Sequence, residues 1–183
     1  MKYNETVVGE FINRPNRFIA HVNINGKTGY DLIAVYKENF GLINIDSQAP
    51  NKVVGEWLEK QDYTFVKPEY TFGKSRIDFY MEKGDEQFLL EVKGCTLEKG
   101  GVGYFPDAPT ERGVKHLYEL SEAVKKGYNC FLAFVIQMEG VSEVLPNEEI
   151  HKEFGVAQRH AVNAGVKVLF LKCKVEEDSL RIL

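Results

Sequence analysis

The chain has 183 residues, 44% apolar and 27% charged, with 23 Lys+Arg against 27 Asp+Glu for a formal charge of −4. That is one domain, or one domain with a small appendage, able to bury a core without staples; disorder, collagen and coiled coil are excluded. No run of 18 apolar residues is present and Met1-Lys2-Tyr3-Asn4-Glu5 leads into no long apolar segment, so neither a membrane span nor a secretory leader is expected.

The first 37 residues carry five basic and three acidic side chains, and the remainder carries 18 and 24. The pattern changes at the same place. Thr6 to Ile12 and Arg17 to Ile24 alternate like strands, with a turn expected at Asn13-Arg14-Pro15-Asn16. Asn25-Gly26 is a turn signal, and Asp31 to Tyr36 is a third strand. Residues 1–37 thus read as a thin β module, too small to stand alone. Residues 38–183 read as a mixed α/β domain. Leu42 to Ile45 is a short strand, and Pro50 leads into a helix over about Asn51 to Gln61. Extended runs follow around Glu69 to Phe72, Arg76 to Met81 and Gln87 to Val92, the last two joined by a Gly84-Asp85 turn. Gly100-Gly101-Val102-Gly103 lacks the GK[ST] of a phosphate loop and is expected to be a flap. A helix over about Thr110 to Lys126 has an apolar stripe of Val114, Leu117, Leu120 and Val124. Cys130 to Ile136 is apolar throughout, as in a strand covered on both faces. Asn147 is expected to cap a third helix that ends at Gly165, and Val166 to Cys173 is a last strand.

The spacing that carries chemistry is Ile77-Asp78-Phe79, followed after a gap by Glu91-Val92-Lys93. The turn between them makes the two segments hairpin neighbours. Alternation puts Glu91 and Lys93 on one side of their strand, where Asp78 can join them. Two carboxylates need a positive charge between them. Mg²⁺ or Mn²⁺ suits that role, with Asp78 and Glu91 as ligands, the Val92 carbonyl within reach at a bulge, and Lys93 assisting a water. The bland alternative is a surface ion network, which an arbitrary D…ExK match usually is. Against it, Asp78 and Glu91 are set in apolar runs, where unpaired charges rarely enter. Glu56, one position off the stripe of the first helix, is placed to border the same cleft.

This arrangement, in an α-β-β-β-α-β order, resembles the PD-(D/E)xK nuclease superfamily. More closely, Tyr30-Asp31-Leu32-Ile33-Ala34-Val35, Ile45-Asp46-Ser47-Gln48-Ala49-Pro50-Asn51, Ser75-Arg76-Ile77-Asp78-Phe79 and Phe105-Pro106-Asp107-Ala108-Pro109-Thr110-Glu111-Arg112-Gly113 look like the sugar fermentation stimulation protein A family. The resemblance covers nearly the whole chain. It implies a restriction-endonuclease-like mixed sheet with helices on both faces, preceded by an OB-like β module. It further implies DNA binding and a role in regulating sugar (maltose) metabolism, and the superfamily suggests nuclease activity. The family's N-terminal module is usually longer; here Val22 to Gly29 runs straight into Tyr30, so the module is shortened and a complete OB barrel is not expected.

For DNA contact the candidates are Arg14 and Arg17 beside the first turn, Lys74 and Arg76 beside Asp78, and Arg112 and Lys115 in the first turn of a helix, a good phosphate site. Solvated surface charge is the alternative for each. Asp46 and Gln48 are cleft or turn residues, and Gln137, at a place where some nuclease-like sites use a glutamine, reads more simply as a strand-end cap. The four histidines show no metal-ligand spacing. Cys95, Cys130 and Cys173 form no CxxC pair and adjoin apolar runs, which reads as buried free thiols in a reducing cytoplasm. Three functions follow: a metal-dependent DNA endonuclease, a non-catalytic DNA-binding regulator with the same fold, or a protein-interaction module. A homodimer would suit double-strand cleavage, but no residue argues for one.

Overall fold

The computed structural model describes residues 1–16, 19–24, 31–38 and 40–183, without the side chains of residues 14–16, 19 and 20. Thirteen strands and three helices are present among the described residues. The molecule is built around a six-stranded mixed sheet, in the order β13-β12-β10-β7-β6-β5. Its strands are β5 (Phe65–Phe72), β6 (Ser75–Lys83), β7 (Glu86–Cys95), β10 (Asn129–Ile136), β12 (Lys167–Glu176) and β13 (Ser179–Ile182). β10 lies parallel to both β7 and β12, and the other pairings are antiparallel. The apolar run from Cys130 to Ile136 sits in this interior strand, buried throughout except for a half-buried Phe131.

Helices cover both faces. α1 (Ala49–Leu58) lays Ala49, Val53, Val54 and Leu58 against Phe79, Met81, Leu90 and Val92. α2 (Glu111–Lys125) and α3 (Lys152–Ala164) cover the other face, where Leu117, Leu120, Phe154 and Ala157 pack on Ile77, Leu89, Leu132 and Phe134. Phe134 is fully enclosed, and truncating a core phenylalanine of this kind costs about 3–5 kcal/mol. The stripe expected of α2 is its inner face, and Thr110 caps the helix by accepting the Gly113 N–H at 3.1 Å.

Three small sheets complete the chain. β8 (Leu97–Lys99), β9 (Val102–Phe105) and β11 (Val144–Pro146) form one, β3 (Ala34–Lys37) and β4 (Gly41–Asn44) a second, and β1 (Glu10–Asn16) and β2 (Ile19–Asn23) a third. No closed barrel forms from β1–β4 among the described residues. The β3–β4 hairpin spans the expected division at residue 37, and Ile43 bridges Met138 in the larger domain.

Several elements differ from expectation. β1 runs through Asn13–Asn16, where a turn was expected; a bulged two-stranded ribbon has only edge strands, so Pro15 costs it no ladder bond. Pro50 lies inside the first turn of α1 rather than ahead of it, where its missing N–H is no loss. α3 starts after His151, not after Asn147. Asn147 is buried and donates to the Pro106 carbonyl at 3.0 Å instead. Gly100-Gly101 is the two-residue turn of the β8–β9 hairpin, with φ of 62° and 85°, values that only glycine adopts freely.

Candidate active site

The site forms where β6 and β7 stop pairing. Their antiparallel ladder runs from Lys83↔Glu86, across the expected Gly84-Asp85 turn, to Phe79↔Leu90. Beyond that pair Asp78 stands in for a backbone acceptor. Its Oδ2 takes the Val92 N–H at 2.8 Å, and its Oδ1 takes Nδ2 of Asn51, in the first turn of α1, at 2.9 Å. A side chain thus satisfies a strand amide where the N-terminal end of β6 parts from the C-terminal end of β7. Val92 enters the site through this N–H.

Glu91 projects to the α2 side of the sheet and is 1% exposed. Its Oε1 accepts both Lys93 Nζ, at 2.6 Å, and Nδ1 of His116. Its Oε2 is buried and has no hydrogen-bond partner. A buried carboxylate oxygen left bare is costly, on the order of 1–3 kcal/mol or more. Burial alone would push the Glu91 carboxyl up; the His116 bond and the Lys93 charge outweigh it and hold it below its usual range. Asp78 goes the other way. Burial, and then the negative charge of Glu91, raise it, against the Val92 N–H, Lys93 and Asn51. Two carboxyls whose environments push them apart in this way are a common mark of functional sites. No group of three or more His, Cys, Asp or Glu side chains suited to a metal occurs among the described residues. A carboxylate pair with one oxygen unsatisfied still fits Mg²⁺ or Mn²⁺, since such ions are held by one or two carboxylates and take the rest of their shell from water and phosphate.

A cleft of about 380 Å³ opens beside His116 and is lined by Lys74, Ser75, Arg76, Glu111, Arg112 and Lys115. Four of the six residues singled out for DNA contact therefore meet in one place, with His116 at its wall. Lys115 Nζ also donates to the Lys74 carbonyl at 3.3 Å, tying the start of α2 to the β5–β6 turn. Arg76 pairs with Glu69 at 3.2 Å on the exposed rim. Arg17 lies outside the described residues, as does the side chain of Arg14.

The structure separates other candidates from this centre. Glu56 is exposed on α1 and pairs with the Met1 ammonium at 2.6 Å, while Asn51 is the α1 residue that reaches Asp78. Asp46 is a turn residue, its Oδ1 accepting the Gln48 N–H at 2.9 Å and its Oδ2 the Tyr3 hydroxyl at 3.0 Å. Gln137 is buried and binds through Nε2 to Asn44 Oδ1 at 2.9 Å and to the Asn44 and Asp46 carbonyls at 3.2 Å, which fastens β10 to the approach of α1. His116 and Asn51 were not among the candidates read from the sequence. Their spacing to Glu91 and Asp78 is 25 and 27 residues, and only the i, i+4 relation of Arg112 to His116 on one helix face hinted at the former. All three cysteines are buried and free, and burial pushes the Cys95 thiol up to about 11 and those of Cys130 and Cys173 to about 12.

No helix of the described residues is long and apolar enough to cross a membrane. A family model described as the sugar fermentation stimulation protein RE domain (SfsA) matches residues 48–179. A sugar fermentation stimulation protein homolog of Desulfitobacterium hafniense is 47% identical, the match covering 98% of this chain and 94% of that one. One from Clostridium beijerinckii is 43% identical, covering 100% and 96%. The first match is 216 residues long, 33 more than this chain has, so the relative carries segments within it that are lacking here. Among solved structures, that of Pyrococcus furiosus SfsA in complex with Ca²⁺ is 21% identical, covers 100% of this chain and 95% of that one, and superposes with a TM-score of 0.83. The sheet order, its helices and these matches agree: the chain belongs to the sugar fermentation stimulation protein family.

Proposed function

We propose that this chain binds DNA in its basic cleft and hydrolyses phosphodiester bonds with a divalent cation, Mg²⁺ or Mn²⁺, held by Asp78 and Glu91. The observation that carries the reading is the bare, buried Oε2 of Glu91 beside a carboxyl whose proton affinity that same glutamate raises. Bound there, the cation would polarise a phosphoryl oxygen and lower the pKa of a water. Lys74, Arg76, Arg112 and Lys115 supply the positive wall that draws in the phosphodiester backbone. Lys93, anchored on Glu91, keeps a fixed ammonium next to the reacting phosphate and stabilises the charge that develops on it. Asn51 and the Val92 N–H hold Asp78 in one rotamer. The family's P. furiosus member was solved in complex with Ca²⁺, an ion of the same hard, oxygen-seeking class.

One observation favours a second reading, a non-catalytic DNA-binding regulator: the centre offers two carboxylates and no third ligand side chain among the described residues. Under either reading, DNA binding in the cytoplasm would serve the sugar (maltose) metabolism role that the family resemblance implies. The test is calorimetry of Mn²⁺ binding to wild type and Asp78→Ala, followed by incubation of the same samples with a mixed DNA pool. Mn²⁺ binding that vanishes in the variant, with metal-dependent cleavage, is the expected result. Binding without cleavage selects the regulator, and no binding by wild type refutes the metal site.

A further inference from the structure

His116 is 3% exposed, yet it touches both halves of the site. Its Nδ1 faces Glu91 Oε1, and its Nε2 faces Nε of Arg112, one helical turn back in the basic cleft, at 3.4 Å. A guanidinium only donates, so Nε2 is the acceptor, and the ring proton sits on Nδ1 and points at Glu91. Lys93 donates to the same Glu91 oxygen, so Oε1 carries both donors and Oε2 none. The two donors are not equivalent. Lys93 ends in a rotatable ammonium on a flexible stem, whereas the imidazole is a rigid ring locked in a helix face and the core. A lysine alone would let the carboxylate rotate, since the terminal torsion of Glu is soft and nearly two-fold.

We propose that His116 is a positioning residue: it fixes the rotation of the Glu91 carboxylate so that Oε2 is presented to the divalent cation, and it links that presentation to Arg112 in the phosphate cleft. The inference rests on the metal reading above and adds to it the device that sets the ligand's orientation. It also gives the bare oxygen a physical account. Two donors crowd one oxygen because the other is reserved. Partners of this kind, which orient a ligand without touching the ion, change metal affinity about 10- to 100-fold when removed.

The measurement is Mn²⁺ affinity by calorimetry for wild type, His116→Ala, His116→Asn and His116→Gln. Asn hangs its amide nitrogen on Cγ, as histidine hangs Nδ1, so it can restore the bond to Glu91; Gln places its amide one bond further out. The expected result is a 10- to 100-fold weaker Mn²⁺ affinity for His116→Ala and His116→Gln, and recovery to within about threefold for His116→Asn. If His116→Ala fails to fold, the contrast between the Asn and Gln variants decides alone. Mn²⁺ affinity unchanged in the Ala variant, or no difference between Asn and Gln, overturns the positioning role and leaves His116 as core filling. Failure of wild type to bind Mn²⁺ overturns the metal reading, and this inference with it. The imidazole ¹⁵N shifts of wild type give an independent check: His116 should report the Nδ1–H tautomer, and the Nε2–H form would refute the geometry.

Discussion

Gly94 follows Lys93 on β7, and a side chain there would have nowhere to go. A Cβ added to it would collide with Gln137 Oε1 and sit 2.8 Å from Pro50 Cγ in the first turn of α1. Neither neighbour yields cheaply. Gln137 is held through Nε2, whose two hydrogens are shared among three oxygens of Asn44 and Asp46, and swinging it away forfeits them inside a buried pocket, at about 1 kcal/mol for each hydrogen. Moving Pro50 means lifting α1 off Phe79, Leu90 and Val92, the kind of overpacking that costs about 1–3 kcal/mol. Alanine recovers only about 0.4–1 kcal/mol by restricting the unfolded chain. Gly94→Ala is therefore expected to lose about 2–3 kcal/mol in urea unfolding followed by circular dichroism, with an unchanged m-value. The mechanism is checked by a double-mutant cycle. Gln137→Ala removes one wall of the clash, so Gly94→Ala should cost at least 1 kcal/mol less in that background than alone. A single-mutant loss below about 0.5 kcal/mol, or strict additivity in the cycle, would refute the reasoning.

The two site carboxyls should respond to pH in opposite senses. Asp78 is raised in the fold, so its protonation favours the native state; that contribution is complete below the ordinary aspartate value of about 4 and disappears as pH rises through the raised one. Asp78→Asn keeps an acceptor for the Val92 N–H, and in metal-free buffer at pH 7 its Tm should equal or exceed that of wild type, the gap closing towards pH 4; a Tm lower by more than about 4 °C would contradict this. Glu91 is lowered, so its contribution is present above the ordinary glutamate value and lost as pH falls through the native one. Glu91→Gln should lose about 1–3 kcal/mol at pH 7, a difference that thermal melts must show vanishing in acid. Lys115→Ala should weaken DNA binding and reduce the slope of log K against log salt by about 0.9, whatever the DNA sequence; an unchanged slope removes Lys115 from the phosphate contacts. With thiols pushed up to about 11 and 12 and enclosed, native protein should not react with a thiol-specific disulfide reagent at pH 8 over an hour, while unfolded protein titrates all three.

The β6–β7 hairpin was legible because the Gly84-Asp85 turn and period-two alternation act over a few residues, and α2 because Thr110 caps it locally. The early start of β5 at Phe65 was not. Lys67-Pro68-Glu69 is unlike a strand interior, and only the position of β5 at the edge of the sheet, known from the whole topology, makes the proline acceptable. β13 escaped because four residues after a polar turn carry almost no pattern. At the site, Asp78, Glu91 and Lys93 were found together because they share a hairpin. The convergence of Lys74 and Arg76 with Arg112 and Lys115 had to wait for the packing of α2 on the sheet. Glu56 was assigned from its place on a helix wheel, which fixes a face but not how far along the helix the cleft lies; the position that reaches Asp78 is Asn51, more than one turn earlier.

Asp78 has two employments, and they bear differently on how this protein can change over generations. Its Oδ2 closes the frayed ladder between β6 and β7, so the chain needs an acceptor there whether or not any chemistry takes place. A lineage that abandoned the reaction would keep Asp or Asn at this position for architecture alone. Glu91 offers no such shelter. Half of its carboxylate is bare inside the protein, and once no cation required that oxygen, joint replacement of Glu91 and its partners Lys93 and His116 by apolar residues would relieve the fold. Substitution at Glu91 with Asp78 retained is therefore the expected scar of lost catalysis in descendants of this chain.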